Sequence, residues 1–275
     1  MNAPVSSLPG PLAPFVSVIR HRHLAWQIGR RGLLSRYRGA FLGLFWSLLN
    51  PLAMLLLYTF FFGLILKVRW SGGEPGTLGF ALSLFAGLSL FGLFSEPFSR
   101  APGLILENTN FVKRVVFPLD ILAWSTVFQA LAHFLVSLAI LLTVQALFGG
   151  GIGWAVLLLP LLLLPFCLFL LGLTWFLASL GTYVRDIGQL VGMLQTALLF
   201  LSPVFYPLSD LSPRMQQWLV LNPLAFPIET FRNLILKGQV PEPGALALYW
   251  LFGLVCAWLG FVWFEKTRKG FADVL

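Results

Sequence analysis

Sixty-four consecutive residues, Ile121 to Val184, contain no Asp, Glu, Lys or Arg. A helix needs roughly 20 apolar residues to cross the hydrocarbon of a bilayer, so a run of this length is too long for one crossing and apolar throughout. Gly149, Gly150, Gly151 and Gly153 interrupt it near the middle. Their backbone freedom suits a tight turn, which makes the run two membrane helices joined as a hairpin. Composition agrees: charged residues are 10% of the chain, against roughly 25% in soluble domains. A soluble globule with so few charges would expose large apolar patches and associate. The chain is read as an integral membrane protein.

Four further charge-free windows reach the spanning length: Gly39 to Leu66, Pro75 to Ser95, Ile187 to Ser209 and Pro243 to Phe264. With the hairpin counted twice, the sequence predicts an all-α membrane protein of six spans. Met215 to Ile228 is also charge-free but only 14 residues long and is broken by Asn222 and Pro223, a length that reads as re-entrant or interfacial. Six spans place both termini on one side. That side carries thirteen Lys and Arg and the other five, so it is assigned to the cytoplasm. The net charge of +8 is then a topology signal and requires no nucleic-acid partner.

No removable signal peptide is expected, because the first forty residues are proline-rich and then basic. Phe15 to Leu34 places Phe15, Val18, Ile19, Ala25, Trp26 and Leu33 near one helical face, with Arg20, His21, Gln27, Arg30 and Arg31 mostly opposite. Such a helix should lie along the membrane surface. His21 and His23 are spaced i, i+2, which does not align two metal ligands on a helix. Cys167 and Cys256 sit in apolar runs without ligand neighbours and read as filler.

Polar and aromatic stripes mark individual spans. Ser47, Asn50, Met54, Tyr58 and Phe61 recur along the first, and Gly188, Gly192, Gln195, Thr196, Leu199, Ser202 and Tyr206 along the fifth. Such faces either pack against each other or line a path through the membrane. The third span repeats the pattern with Ser125, Gln129, His133 and Ser137. His133 is expected to hydrogen-bond between helices, since no acid shares its span and Glu96 and Asp186 are expected to stand singly. Pro160 and Pro165 are expected to kink the fourth span. Phosphate loops, dinucleotide motifs, the zinc motif H-E-x-x-H and paired carboxylates within a span are all missing from the sequence. No catalytic residue, metal site or resident cofactor is assigned, and energy for transport must come from another subunit.

The stretches SRYRGAFLGLFWSLLNPL at 35 to 52, LENTNFVKRVVFP at 106 to 118, SPVFYP at 202 to 207 and LNPLAFPIETFRNLIL at 221 to 236 together resemble the permease subunit of the type-2 ABC polysaccharide exporters, O-antigen (Wzm) kind. The resemblance covers nearly the whole chain after its start. It implies a homodimer paired with two nucleotide-binding ATPase subunits that carry ATP and Mg, and a substrate of undecaprenyl pyrophosphate bearing a finished polysaccharide. It also implies that Glu107, Asn108, Asn110, Phe111, Lys113 and Arg114 belong to a coupling segment seated in the ATPase, and that the loop between spans five and six holds two short periplasmic gate helices.

On that reading Ser47, Asn50, Tyr58, Phe61, Gln195, Ser202, Phe205 and Tyr206 form a weak-binding path, with rings for sugar faces and polar groups for hydroxyls. Arg30, Arg31, Arg36 and Arg38 would receive the pyrophosphate, because a guanidinium fork can grip phosphate oxygens in pairs. The expected organisation is residues 1–14 as a flexible start, 15–38 as the interface helix, 39–264 as the six-span domain and 265–275 as a cytoplasmic tail. The coupling loop is placed at 96–120 and the gate region at 207–243. The expected location is the bacterial inner membrane. Capsule or teichoic acid export, small-molecule efflux by the same superfamily and, last, a membrane glycosyltransferase are the competing readings.

Overall fold

The computed structural model describes residues 10, 13–36, 45–65, 77–112 and 117–275, and among these every regular element is helical. Where the sequence predicts one amphipathic helix there are two, α1 (Ala13–Arg20) and α2 (Arg22–Arg36). The bend at His21 has a tertiary cause. α1 touches both the Ile121–Phe148 and the Pro243–Thr267 helices, whereas α2 lies mainly along the Ile121–Phe148 helix.

α3 (Trp46–Tyr58) runs into a π-helical turn over Thr59–Ile65. Its Thr59 hydroxyl donates back to the Leu55 carbonyl at 2.7 Å, a competing bond of the sort that loosens a helical ladder. α4 (Thr77–Arg100) is followed by the short α5 (Thr109–Val112), then α6 (Ile121–Phe148) and α7 (Leu159–Tyr183). The α6–α7 hairpin turns at Gly150 and Gly151, whose φ values of +84° and +106° suit glycine. Pro160 falls in the first turn of α7, where a missing N–H costs no helical bond, so only Pro165 lies inside that helix. Pro160 therefore breaks no bond of the α7 ladder, and the expectation that it kinks the span is corrected.

α8 (Ile187–Leu201) covers only the first 15 residues of its charge-free window, about 22 Å of helix. Pro203 follows at once, and Ser202 already has extended backbone at φ −92°, ψ 153°. α9 (Pro213–Leu219) and α10 (Ala225–Arg232) flank the Asn222–Pro223 turn, and α11 (Pro243–Thr267) and α12 (Phe271–Val274) end the chain. Among the described residues, four helical stretches are long and apolar enough to cross a membrane: Leu78–Gly103, Ile121–Phe148, Trp154–Tyr183 and Pro243–Val274. α3 and α8 provide shorter apolar helices.

The connections sort to two ends of the bundle. At one end Ser17 of α1 bonds the Asp120 carboxylate, Arg268 donates to the Phe117 carbonyl at 2.9 Å, and the Tyr183 hydroxyl donates to the Thr267 carbonyl at 2.7 Å. The N-terminal helices, the α4–α6 connection, the α7–α8 link and the last helix therefore share that end. At the opposite end the hairpin glycine Gly153 meets Gly238, the residue after the π-helical turn Asn233–Lys237.

The most tightly built part is the seam between α7 and α11. A methyl group on Gly172 would collide with the Cys256 carbonyl, one on Gly260 with the Gly172 carbonyl, and one on Gly253 with the Pro165 carbonyl. Small residues let the two backbones touch, which replaces the hydrophobic drive that is missing between helices in lipid. Ser179 and Thr267 then share a hydrogen bond at 2.7 Å near one end of the seam, and Trp250 Nε1 donates to the Leu161 carbonyl at 3.0 Å near the other.

Candidate functional site

A cavity of about 340 Å³ opens between α3, α4, α6 and α8. Pro51, Met54 and Tyr58 face it from α3 and Leu199 from α8, while Phe85 and Phe91 of α4 supply aromatic wall. Its polar side is Glu96, His133 and Ser137. The Glu96 carboxylate stands 2.8 Å from His133 Nδ1 and 3.7 Å from Arg100. His133 thus has an acidic partner on the neighbouring helix, and Glu96 does not stand singly, contrary to the sequence expectation. The physical reason is register. Glu96 lies just past the charge-free window of its span, but α4 continues five residues beyond that window and turns the carboxylate inward.

The network continues towards the N-terminal helices. Arg100 donates to Gln129 Oε1 at 3.1 Å, and Gln129 Nε2 donates to the Ser125 carbonyl at 3.1 Å. Gly32 of α2 lies directly on the Gln129 amide, and Gly29 and Trp26 rest on the Phe128 ring. A buried polar group without partners would cost several kcal/mol in an apolar bundle. Here Glu96, Arg100, Gln129 and Ser125 are linked in a line that leads from the cavity to the surface on which α2 packs.

The two predicted stripes do not pack on each other as a helix pair. α3 packs mainly on α4 and α6, and α8 on α4 and α7, with Tyr58 and Leu199 both lining the cavity. Ser47 is half-buried and Asn50 exposed on α3, and Phe61 is exposed in the π-helical turn. Gln195 is half-buried, and its Oε1 is enclosed without a donor among the described residues. Phe205 stacks on Phe200 with ring centroids 5.6 Å apart, and the Tyr206 hydroxyl donates to the Phe200 carbonyl at 3.3 Å. Ser202 is fully buried and accepts a hydrogen bond from Asn222 Nδ2 at 3.0 Å, so in this conformation it lies inside a joint.

Arg30 and Arg31 are exposed on α2, and Arg36 is its last residue. Arg38, Lys113 and Arg114 lie outside the described residues. In the α4–α6 connection Pro102 is pinned against Gly181 of α7, so the segment leaves the bundle from a fixed base. Glu107 is exposed, Asn108 Nδ2 donates to the Leu104 carbonyl at 2.8 Å, and Asn110 is exposed. Phe111 stacks on Phe117 at 4.4 Å and is half-buried.

Sequence reasoning missed Arg232. Counted there only as one of five basic residues on the sparse side, it is 2% exposed and sits among backbone carbonyls. Its Nε donates to the Ser83 carbonyl at 3.1 Å, one terminal nitrogen to Glu229 at 3.1 Å, and the other to the carbonyls of Pro203 and Val204 at 2.9 and 3.2 Å. The signal was available: Glu229 and Arg232 are the only charges within FPIETFRNLIL, three residues apart on a helix.

Residues 23–236 match the family model described as ABC-2 type transporter. Similar curated proteins include an O-antigen export system permease protein, RfbA, of Myxococcus xanthus, 28% identical over 256 residues, covering 92% of this chain and 96% of that protein. A protein of the same name from Klebsiella pneumoniae is 26% identical over 251 residues, 90% of this chain and 93% of the relative. The polysialic acid transport protein KpsM of Escherichia coli is 26% identical over 242 residues, 87% and 91% of the two chains. The matched region begins in α2 and ends in the turn after α10, so it takes in every wall of the cavity, and the chain belongs to the ABC-2 type transporter family.

Proposed function

We propose that this chain is the membrane permease of an ATP-driven exporter that moves undecaprenyl-pyrophosphate-linked O-antigen polysaccharide from the cytoplasmic to the periplasmic side of the inner membrane. The observation that carries the reading is the nearly end-to-end similarity to proteins named as O-antigen export permeases. The cavity supports it chemically, because rings beside hydroxyls and a carboxylate suit sugars, which present flat apolar faces and many hydroxyls. The working unit is a homodimer with two ATPase subunits, and α3 and α8 complete six spans. The end that carries both termini is cytoplasmic, in keeping with its thirteen basic residues. Glu107, Asn108, Asn110, Phe111, Lys113 and Arg114 meet the ATPase there, and Arg30, Arg31, Arg36 and Arg38 receive the pyrophosphate. α9 and α10 form the periplasmic gate.

Capsule export is the second reading, favoured by the similarity to KpsM. Reconstitution of the chain with its ATPase in proteoliposomes separates the two. ATP-dependent protection of undecaprenyl-pyrophosphate-linked polymer from an impermeant glycosidase is expected. Transport only of polymer on a different lipid would move the assignment to capsule export, and transport of neither polymer would end the exporter reading.

A further inference from the structure

The broken end of α8 is held by two side chains from the segment that follows it. Asn222 Nδ2 donates to the Leu201 carbonyl at 3.2 Å and to Ser202 Oγ at 3.0 Å, while Asn222 Oδ1 accepts the Leu224 N–H at 2.9 Å. Arg232 takes the next two carbonyls, those of Pro203 and Val204, and reaches Ser83 of α4 with its Nε. α4 makes room with Gly87, where a Cβ would stand 2.9 Å from the guanidinium and 3.3 Å from the Val204 carbonyl. Leu88, beside Gly87, and Leu199, five residues before Val204, both line the cavity. The joint therefore borders, on α4 and after α8, the stretches that line the cavity, without lining it itself.

We propose that Arg232 is a positioning residue for transport: it bolts the Ser202–Tyr206 segment, with the path candidates Phe205 and Tyr206, to α4 and α10, and thereby sets the exit end of the path. The inference rests on the exporter reading for its meaning but not for its geometry. An arginine suits the task because its planar fork can serve three elements at once, whereas a lysine ammonium is a point charge that cannot span them. Carbonyls just past a helix end have no ladder partner. Loss of the fork leaves those of Pro203 and Val204 to find water, and the segment must move outwards to reach it. Glu229 pairs with the guanidinium from within α10 through the terminal nitrogen that does not hold Pro203 and Val204.

The test uses the full chain in membrane vesicles with Cys167 and Cys256 replaced by Ala. Val204, fully buried beside the clamp, becomes the reporter as Val204→Cys, and Ala178→Cys, fully buried on α7, reports on the fold as a whole. Impermeant maleimide should label Val204→Cys about tenfold faster in Arg232→Gln and to an intermediate extent in Arg232→Lys, with Ala178→Cys unreactive in both, as a local opening requires. In the complex with ATPase, Arg232→Lys should retain ATP turnover while export falls about fivefold, as expected for gating rather than chemistry.

A reporter at Val204 that stays protected in both variants overturns the proposal. So does parallel exposure of Ala178→Cys, which would make Arg232 a general fold determinant, and so does unchanged export by an opened joint. Should Arg232→Gln fail to insert, Arg232→Lys alone decides by the same readings. The labelling arm contains no substrate. If wild-type protein exports no polymer yet the labelling result holds, the exporter reading fails and the clamp stands.

Discussion

The α7–α11 seam and the α3–α8 side of the cavity are built from the same alphabet of Leu, Phe, Gly and a few hydroxyls, yet they use it in opposite ways. Sixteen residues of α7 are buried, against Val191 alone on α8 and Leu55 alone on α3. Glycines on α7 and α11 touch backbone carbonyls, whereas Gly188 and Gly192 on α8 have nothing within 4 Å of where a Cβ would stand. A glycine in a membrane helix therefore does not by itself indicate close packing. The seam is the closely packed side of this contrast. The α3–α8 side, with Met193, Phe200, Leu201 and Phe61 exposed in the single chain, is the part left for lipid, a second copy or a moving substrate.

The largest expected effect tests that contrast directly. Gly260→Leu at the seam must push two backbones apart, and overpacking of this kind costs about 3 kcal/mol. The melting temperature in detergent and the folded yield should both fall. Gly192→Ala on α8 fills open space and should gain about 0.5 kcal/mol from helix propensity alone. Equal losses at the two sites would break the comparison.

Next come two candidate path residues, of which Tyr58 lines the cavity. Tyr58→Ala and Phe205→Ala remove half-buried rings, and the second also removes a stack worth about 1 kcal/mol. Export should fall severalfold in each while the complex stays assembled on size-exclusion chromatography. If both variants export normally, the α3–α8 side is only a packing or lipid surface.

The contrast also explains what the sequence made legible. The helix hairpin was readable because four glycines interrupt one long charge-free run, a local signal that needs no partner. The end of α8 was visible in Pro203 and Pro207, although hydropathy alone extended the helix to Ser209. The seam was not singled out, because Gly253, Ala257 and Gly260 lie within an apolar span that reads as lipid-facing until α7 is laid against it. The Glu96–His133 pair joins residues 37 positions apart, and only the register between α4 and α6 brings them together. Arg232 is the same case over a longer reach, with partners 149 and 28 positions away. Sequence patterns report the face of a helix, and the partner of that face is a tertiary fact.

A smaller effect is expected at the polar chain that leads from the cavity towards α2. A double-mutant cycle with Glu96→Gln and His133→Ala should give a coupling of about 1 kcal/mol, since the pair is only partly sheltered. Chemical denaturation in detergent measures it. A coupling near zero would mean that the two side chains share a cavity without holding it, and the α3–α8 side would then be looser still.

The smallest effect on the fold is expected at the arginines in and just after α2, which is why they separate binding from anchoring most cleanly. Arg30 and Arg31 are exposed on α2, whose contact with α6 runs instead through Trp26, Gly29 and Gly32. Lysine at positions 30, 31, 36 and 38 keeps the charge, so the attraction to anionic lipid, about 1 kcal/mol per residue, is retained and insertion should be unchanged. Surface substitutions of this kind shift stability by no more than about 0.5 kcal/mol. What lysine cannot keep is the paired donation to phosphate oxygens. If these residues receive a pyrophosphate, the fourfold variant should insert and melt like wild type, yet lose substrate-stimulated ATP hydrolysis and export together. If they only anchor the helix, all four measurements should match wild type, and the headgroup of the substrate must then be recognised elsewhere, with Arg100 beside the cavity as the next residue to change.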